Sequence, residues 1–268
     1  MAIPGKHFAR ILIERRNLLG QLVRRDFEQR FIGSAGGWLW GLIHPLVLLV
    51  SWVFVFQWCM KIQLPKAEVT QNYPLFLFCG FLPWLLFQDT VQRSASSLLD
   101  HSNLITKTVF PSEIVPVSIF LSSLLNHLLA LVLAIGIVVF EAQHLSIWIL
   151  SLPLYMLLIG LFAIGIGWIV AGLHVYLRDT AQVLVIVLTF WFWVTPVMIG
   201  EEQFPARVRP ILHANPLAFM VRAYRERLLS SRLPDLHDIA VTAAYALTIF
   251  VIGGLFFRHL KRGFADVL

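Results

Sequence analysis

The sequence predicts an all-α integral membrane protein: six transmembrane helices, an N-terminal amphipathic interfacial helix, and short re-entrant helices before the last span. Three observations carry that expectation. Of 268 residues, 58% are hydrophobic and 13% are charged. A water-soluble domain carries about 45–50% and about 25%, so these charges are too few to cover an aqueous exterior. The apolar residues fall in six runs, each close to or above the ~20 residues needed to cross the hydrocarbon core. The basic residues, which give a formal charge of +6, lie at the ends of those runs. There they orient a membrane protein rather than form a nucleic-acid surface.

The N-terminal segment from Lys6 to about Val23 has the helical period. Phe8, Ile11, Leu12, Leu18, Leu19, Leu22 and Val23 share one face, with Lys6, Arg10, Glu14, Arg16 and Gln21 opposite. Residues 1–32 are therefore expected to form a cytoplasmic interface helix lying in the headgroup plane, ahead of a single membrane domain, 33–268. Arg-rich and without a short apolar core before a cleavage site, they do not read as a cleaved signal peptide.

The spans expected are 38–60, 73–91, 114–140, 145–173, 181–200 and 239–257. Helices are the practical choice, because every backbone amide must be satisfied within its own segment. Six spans put both termini on one side. Thirteen Lys and Arg residues fall on the side of the termini, including seven before the first span, against eight on the other. The termini are therefore expected to be cytoplasmic. Six of the opposing eight, Arg207, Arg209, Arg222, Arg225, Arg227 and Arg232, crowd into one stretch. There Pro205, Pro210 and Pro216 punctuate a helical pattern of Leu217, Met220, Val221, Tyr224 and Leu228. Segment 203–230 fits either re-entrant helices under a protein cover or an amphipathic helix on the outer surface.

The chemistry-bearing patterns are few. No Gly-x-x-x-x-Gly-Lys-Ser/Thr phosphate loop is present, so ATP hydrolysis, if it drives this chain, belongs to another polypeptide. Gly160, Gly165 and Gly167 sit inside an apolar run and read as close helix packing. The histidines show no ligand spacing with carboxylates or thiols. Cys59 and Cys79 are expected to be free, buried thiols. Asp89 and Arg93, four apart, are expected to pair on one helix. The polar loop 94–113 fits either a plain connector or a cytoplasmic helix that carries force from a soluble motor. Trp52 and Phe56, one turn apart, together with Trp191 and Trp193, either line a passage for sugars, or face lipid or pack between helices.

Several segments taken in order resemble a known family. Arg24-Arg25-Asp26-Phe27-Glu28-Gln29-Arg30-Phe31-Ile32-Gly33 through Trp38-Leu39-Trp40, His44-Pro45-Leu46, Lys107 to Pro116, Arg178-Asp179, Thr195-Pro196-Val197, Asn215-Pro216-Leu217 and Gly263-Phe264-Ala265-Asp266 are similar to ABC-2 type polysaccharide exporters. These are membrane subunits that move O-antigen, capsule or teichoic acid chains. The resemblance implies a homodimer joined to two cytoplasmic ABC ATPase subunits that bind the ATP and Mg, with no cofactor in this chain. It implies a multi-pass bacterial inner-membrane protein with a lipid-linked polysaccharide as cargo, O-antigen first, and no nucleic-acid partner.

It also implies residue roles. The ATPase-coupling helix would comprise Ser97, Leu98, Leu99, Asp100, His101, Ser102, Asn103, Leu104, Ile105, Thr106 and Lys107. The channel would be lined by Trp52, Phe56, Trp191 and Trp193. An outer gate would include Phe204, Pro205, Asn215, Pro216, Tyr224 and Arg225. An exporter of a small lipophile and a membrane-embedded transferase are the competing readings.

Overall fold

The computed structural model describes residues 14–30, 32–66, 68–107, 110–142, 146–230 and 232–267. Among these, all regular structure is helical. Helix α1, Arg16–Gln29, precedes α2, Trp40–Val53, which continues as a π-helical turn, Phe54–Cys59. Then follow α3, Tyr73–Asp100, the short α4, Ser102–Lys107, and α5, Ile114–Ala142. Helices α6, Leu152–Tyr176, and α7, Thr180–Val194, lead to α8, Arg209–His213, and α9, Pro216–Leu229. Helix α10, Leu236–Leu260, and the terminal turn α11, Phe264–Val267, complete the chain.

Local chemistry fixes several starts. Asn72 accepts from the Leu75 amide, with Pro74 in the first turn of α3. Asn215 accepts from the Leu217 amide, with Pro216 in the first turn of α9. Asp235 accepts from the His237 amide to start α10. Each pairs a short acceptor with an orphan donor of the first turn, and proline fits where no donor is needed. Inside α2, Pro45 removes the donor that would bond the Gly41 carbonyl. Asn126 Nδ2 from α5 reaches that carbonyl instead, at 3.5 Å.

Helices α3 and α6 form the buried core, with α5, α9 and α10 packed around them. Helix α2 is peripheral and contributes only Leu49 to the buried set. Helices α6 and α10 approach closely where Gly165 and Gly253 bring two backbones together. Two ends can be told apart. One gathers α1, α4, the start of α5 and the C-terminus, joined by Lys261 Nζ to the Glu113 carboxylate (2.7 Å to each oxygen) and Tyr176 Oη to the Leu260 carbonyl (2.9 Å). The other holds the start of α3, the end of α7 and the segment 201–235, where Tyr73 Oη donates to the Met198 carbonyl at 3.0 Å.

The structure corrects several boundaries. Five helices are long and apolar enough to cross a membrane: Gly37–Cys59, Tyr73–Asp100, Ile114–Glu141, Ile147–Tyr176 and Leu236–Gly263. The fifth run in order is shorter than expected. Pro196 forces Thr195 into an extended conformation (φ −91°, ψ 134°) and ends α7 at Val194. Its 15 residues span about 22 Å, short of the roughly 30 Å core. The second span runs nine residues past Val91. Helix α1 extends past Val23 to Gln29, and its expected portion Lys6–Ile13 lies outside the described residues, as does the expected start of the fourth span, Leu145. Leu19, Val23 and Phe27 of α1 meet Leu121 and Leu125 of α5 across a groove, so protein takes part of the face expected to contact lipid.

Candidate functional site

A cavity of about 510 Å³ opens between α2, α3, α5 and α7. Its walls are aromatic. Trp52 of α2 sits edge-on to Phe81 of α3 (4.7 Å, 75°) and stacked on Phe192 of α7 (5.4 Å, 28°). Trp84 lies 5.2 Å from the same Phe192 and donates from Nε1 to Gln88 Oε1 at 2.6 Å. Toward the α1 end the lining turns polar, with Arg30, Gln88, Asp89, Gln92, Ser123 and Asn126. Flat aromatic faces beside amide donors and acceptors suit sugar rings, which present C–H faces and hydroxyl edges.

Of the four expected channel aromatics, Trp52 alone lines this cavity. Trp191 turns inward, packs on Phe87 (5.3 Å) and Phe162 (6.1 Å), and donates from Nε1 to Asn215 Oδ1 at 3.0 Å. Trp193 is exposed on the outer face of α7, and Phe56 is half-buried on the π-helical turn. Adjacent residues on a helix point about 100° apart, so Phe192 rather than its two tryptophan neighbours faces the cavity. Sequence reasoning missed Phe81, Trp84, Phe192, Gln88 and Gln92. A signal was present: Trp84, Gln88 and Gln92 follow at four-residue spacing on one helix face.

Of the gate residues expected in segment 203–230, Asn215 and Arg225 both reach the end of α7, whereas Tyr224 reaches α5. Phe204 and Pro205 lie in the turn before α8, where their carbonyls accept from Arg209 Nε (3.2 Å) and the Val208 amide (2.8 Å). Asn215 and Pro216 are buried. Asn215 accepts from Trp191 and donates from Nδ2 to Thr195 Oγ1 at 3.0 Å, so one side chain ties the end of α7 to the start of α9. Tyr224 Oη lies 3.1 Å from His127 Nε2 of α5. Arg225, wholly inside, donates to the carbonyls of Phe76 (3.0 Å), Pro196 (2.7 Å) and Val197 (2.7 Å), with its guanidinium 3.4 Å from the Phe76 ring centre. That rim also influences Glu68: burial pushes its carboxyl above the ordinary range, opposed by the nearby Arg225 charge.

At the other end, the expected coupling segment is two pieces. Ser97 to Asp100 are the last turn of α3, with Ser97 and Leu98 buried and Asp100 exposed. His101 makes the corner, its Nδ1 2.8 Å from the Ser97 carbonyl. Ser102, Asn103, Leu104, Ile105, Thr106 and Lys107 form α4, from which Asn103 and Thr106 are exposed. The expected Asp89–Arg93 pair is corrected. Asp89 instead binds Arg30 Nη2 (2.8 Å), and Arg93 Nη2 binds Asp26 Oδ1, both across to α1. Tertiary partners on α1 outcompete the neighbour one turn away. Cys79 is buried and free as expected, whereas Cys59 is free but exposed.

A bundle of apolar helices with an aromatic and amide cavity against its outlying helices, capped at one end by the buried helix α9, defines a polytopic transport protein. The chain belongs to the ABC-2 type transporter family, which matches residues 17–229. It is 29% identical over 259 residues to the O-antigen export system permease protein RfbA of Myxococcus xanthus, covering 96% of this chain and 97% of that one. The protein of the same description from Klebsiella pneumoniae is 27% identical over 253 residues (94% and 95%). The polysialic acid transport protein KpsM of Escherichia coli is 23% identical over 260 residues (96% of each). The chain is thus a multi-pass membrane permease of this family, not the ATPase of the system.

Proposed function

We propose that this chain is the membrane half of an ATP-driven exporter that moves a lipid-linked polysaccharide, of the O-antigen class, across the bacterial inner membrane. The observation that carries this reading is the cavity in which Trp52, Phe81, Trp84 and Phe192 stand beside Gln88, Gln92 and Asn126. It adjoins α2 and α7, whose remaining faces expose Val47, Val50, Ile186 and Phe190. A second copy placed against those faces would enclose a passage, so the working unit is a homodimer. Two ABC ATPase subunits, holding ATP and Mg, would dock under α1 and α4 on the cytoplasmic side, where both termini lie. The cap made by the exposed α8 and the buried α9 would then form the outer gate.

Full-length similarity to O-antigen permeases at 26–29% identity, against 22–23% for the polysialic acid transport proteins, supports O-antigen over capsule. Deletion of the coding sequence in the source cell tests the reading. Lipid-linked glycan should accumulate on the cytoplasmic side, and its composition identifies the cargo. Undiminished glycan at the cell surface in the deletion strain refutes the assignment, as does ATP hydrolysis by the purified chain alone.

A further inference from the structure

We propose that Asp26, Arg30, Asp89 and Arg93 form a crossed clamp that makes α1 and the α3–α4 arm move as one body. The inference rests on the exporter reading, since it concerns how force enters the membrane half. Two helices each carry an acid and an arginine four residues apart, and each could satisfy its own pair. They exchange partners instead: Arg30 Nη2 binds Asp89 Oδ2 at 2.8 Å and Arg93 Nη2 binds Asp26 Oδ1. Arg30 Nε stays 4.0 Å from Asp26 Oδ2 as a third, longer pair, and Arg30 Nη2 also donates to Ser123 Oγ of α5 at 2.9 Å. Asp26 and Arg30 are 17% and 14% exposed, Arg93 and Asp89 28% and 35%, so solvent screens the α1 side of the clamp less than the α3 side.

The position gives the clamp its consequence. From Arg93 the same helix runs uninterrupted to Asp100, about 10 Å at 1.5 Å per residue, and turns at His101 directly into α4. A displacement of α4 therefore acts on the stem that the clamp grips. Stability alone accounts poorly for the arrangement. Asp26 Oδ2, Arg30 Nε and Arg93 Nη1 are buried with no hydrogen-bond partner, and apolar replacement of such a network is often neutral or stabilising. What two crossed pairs do supply is a fixed register between α1 and α3, which one pair leaves free to pivot. Asp26 and Arg93 are thus positioning residues, acting on transport through α4.

The test uses the full complex of this chain with its ABC ATPase in liposomes, with spin labels at Gln21 of α1 and Asn103 of α4, both exposed. In the unaltered complex the distance between labels should be the same with and without ATP. In Asp26→Asn and in Arg93→Gln it should change on ATP addition, and glycan exported per ATP hydrolysed should fall about tenfold, within the range of typical coupling strengths. The double exchange Asp26→Arg with Arg93→Asp should return both the constant distance and the coupled export. A distance that changes in the unaltered complex overturns the clamp. So does export that falls only in step with the amount of folded complex. An unaltered complex that hydrolyses ATP but exports no glycan counts instead against the exporter reading.

Discussion

Replacing Gly253 with alanine tests the glycine-mediated crossing of α6 and α10. A Cβ on Gly253 would lie 2.1 Å from the Gly165 carbonyl oxygen and 2.9 Å from its Cα. Both obstacles are backbone, so no rotamer change relieves the clash. Ordinary contact begins near 3.4 Å, and α6 and α10 must therefore part by roughly 1 Å, a gap that forfeits a quarter to a half of each affected contact. Overpacking of this kind costs about 1–3 kcal/mol. For a chain of this size about 2 kcal/mol lowers the unfolding midpoint by about 4–8 °C. Gly136→Ala in α5 is the control: nothing lies within 4 Å of the added methyl, and alanine favours the helix by about 0.8–1.0 kcal/mol. Tryptophan fluorescence in detergent should show Gly253→Ala melting lower and Gly136→Ala at or above the parent. Gly253→Ala melting with the parent would refute the close-packing argument.

Arg225→Leu should abolish folded protein on size exclusion, because it strands three buried carbonyls at about 1–3 kcal/mol each. Arg225→Lys, which keeps the charge but not the fork, should fold with a lowered midpoint. Asn215→Ala should lose about 1 kcal/mol for the helix start and more for the abandoned Trp191 and Thr195 partners. Asn215→Asp should recover the part carried by Oδ1, seen as an intermediate midpoint. A maleimide should label Cys59 in the folded, detergent-solubilised chain and reach Cys79 only on denaturation, as their exposure dictates. Cysteines placed at Lys107 and Arg207 should react from opposite faces of sealed vesicles; reaction of both from one face would overturn the six-span topology.

Much of the fold was legible because lipid imposes a one-dimensional code of apolar length and basic flanks. The code failed where apolar character and helicity part company. Val197, Met198 and Ile199 extend the hydropathy of the fifth run past Pro196 and led the expected span on to Gly200. Val197 and Met198 are buried not in a span but in the turn that receives Arg225. The candidate site was half legible. The Asn215-Pro216 and Thr195-Pro196 pairs stood out only as family-like motifs, and the structure joins them in one hydrogen-bond network. Helix phase could not be read from a run such as Phe190-Trp191-Phe192-Trp193, in which every position is aromatic, so the inward, outward and cavity-facing members were not separable. The ion pairing was misread for a related reason: the four-residue rule describes an isolated helix, and α1 offered Asp89 and Arg93 partners that the rule does not see.

The arginine-rich stretch is where the charge rule and the structure best explain each other. Positive residues orient a membrane protein through charges that would have to cross the bilayer free. Four of the six arginines between 201 and 238 are not free. Arg209 donates to the carbonyls of Phe204 and Glu202, and Arg222 lies 3.4 Å from Glu201 and 3.7 Å from Asp238. Arg225 is held by three carbonyls, and Arg227 by Glu226 and the carbonyls of Arg232 and Leu233. These side chains build the cap that closes one end of the bundle, with planar guanidinium groups matching carbonyl and carboxylate geometry where lysine would not. Arg207 and Arg232 stay exposed. With the bound four set aside, the basic residues near the helix ends again favour the side of α1, α4 and the C-terminus, the side on which a soluble motor would have to act.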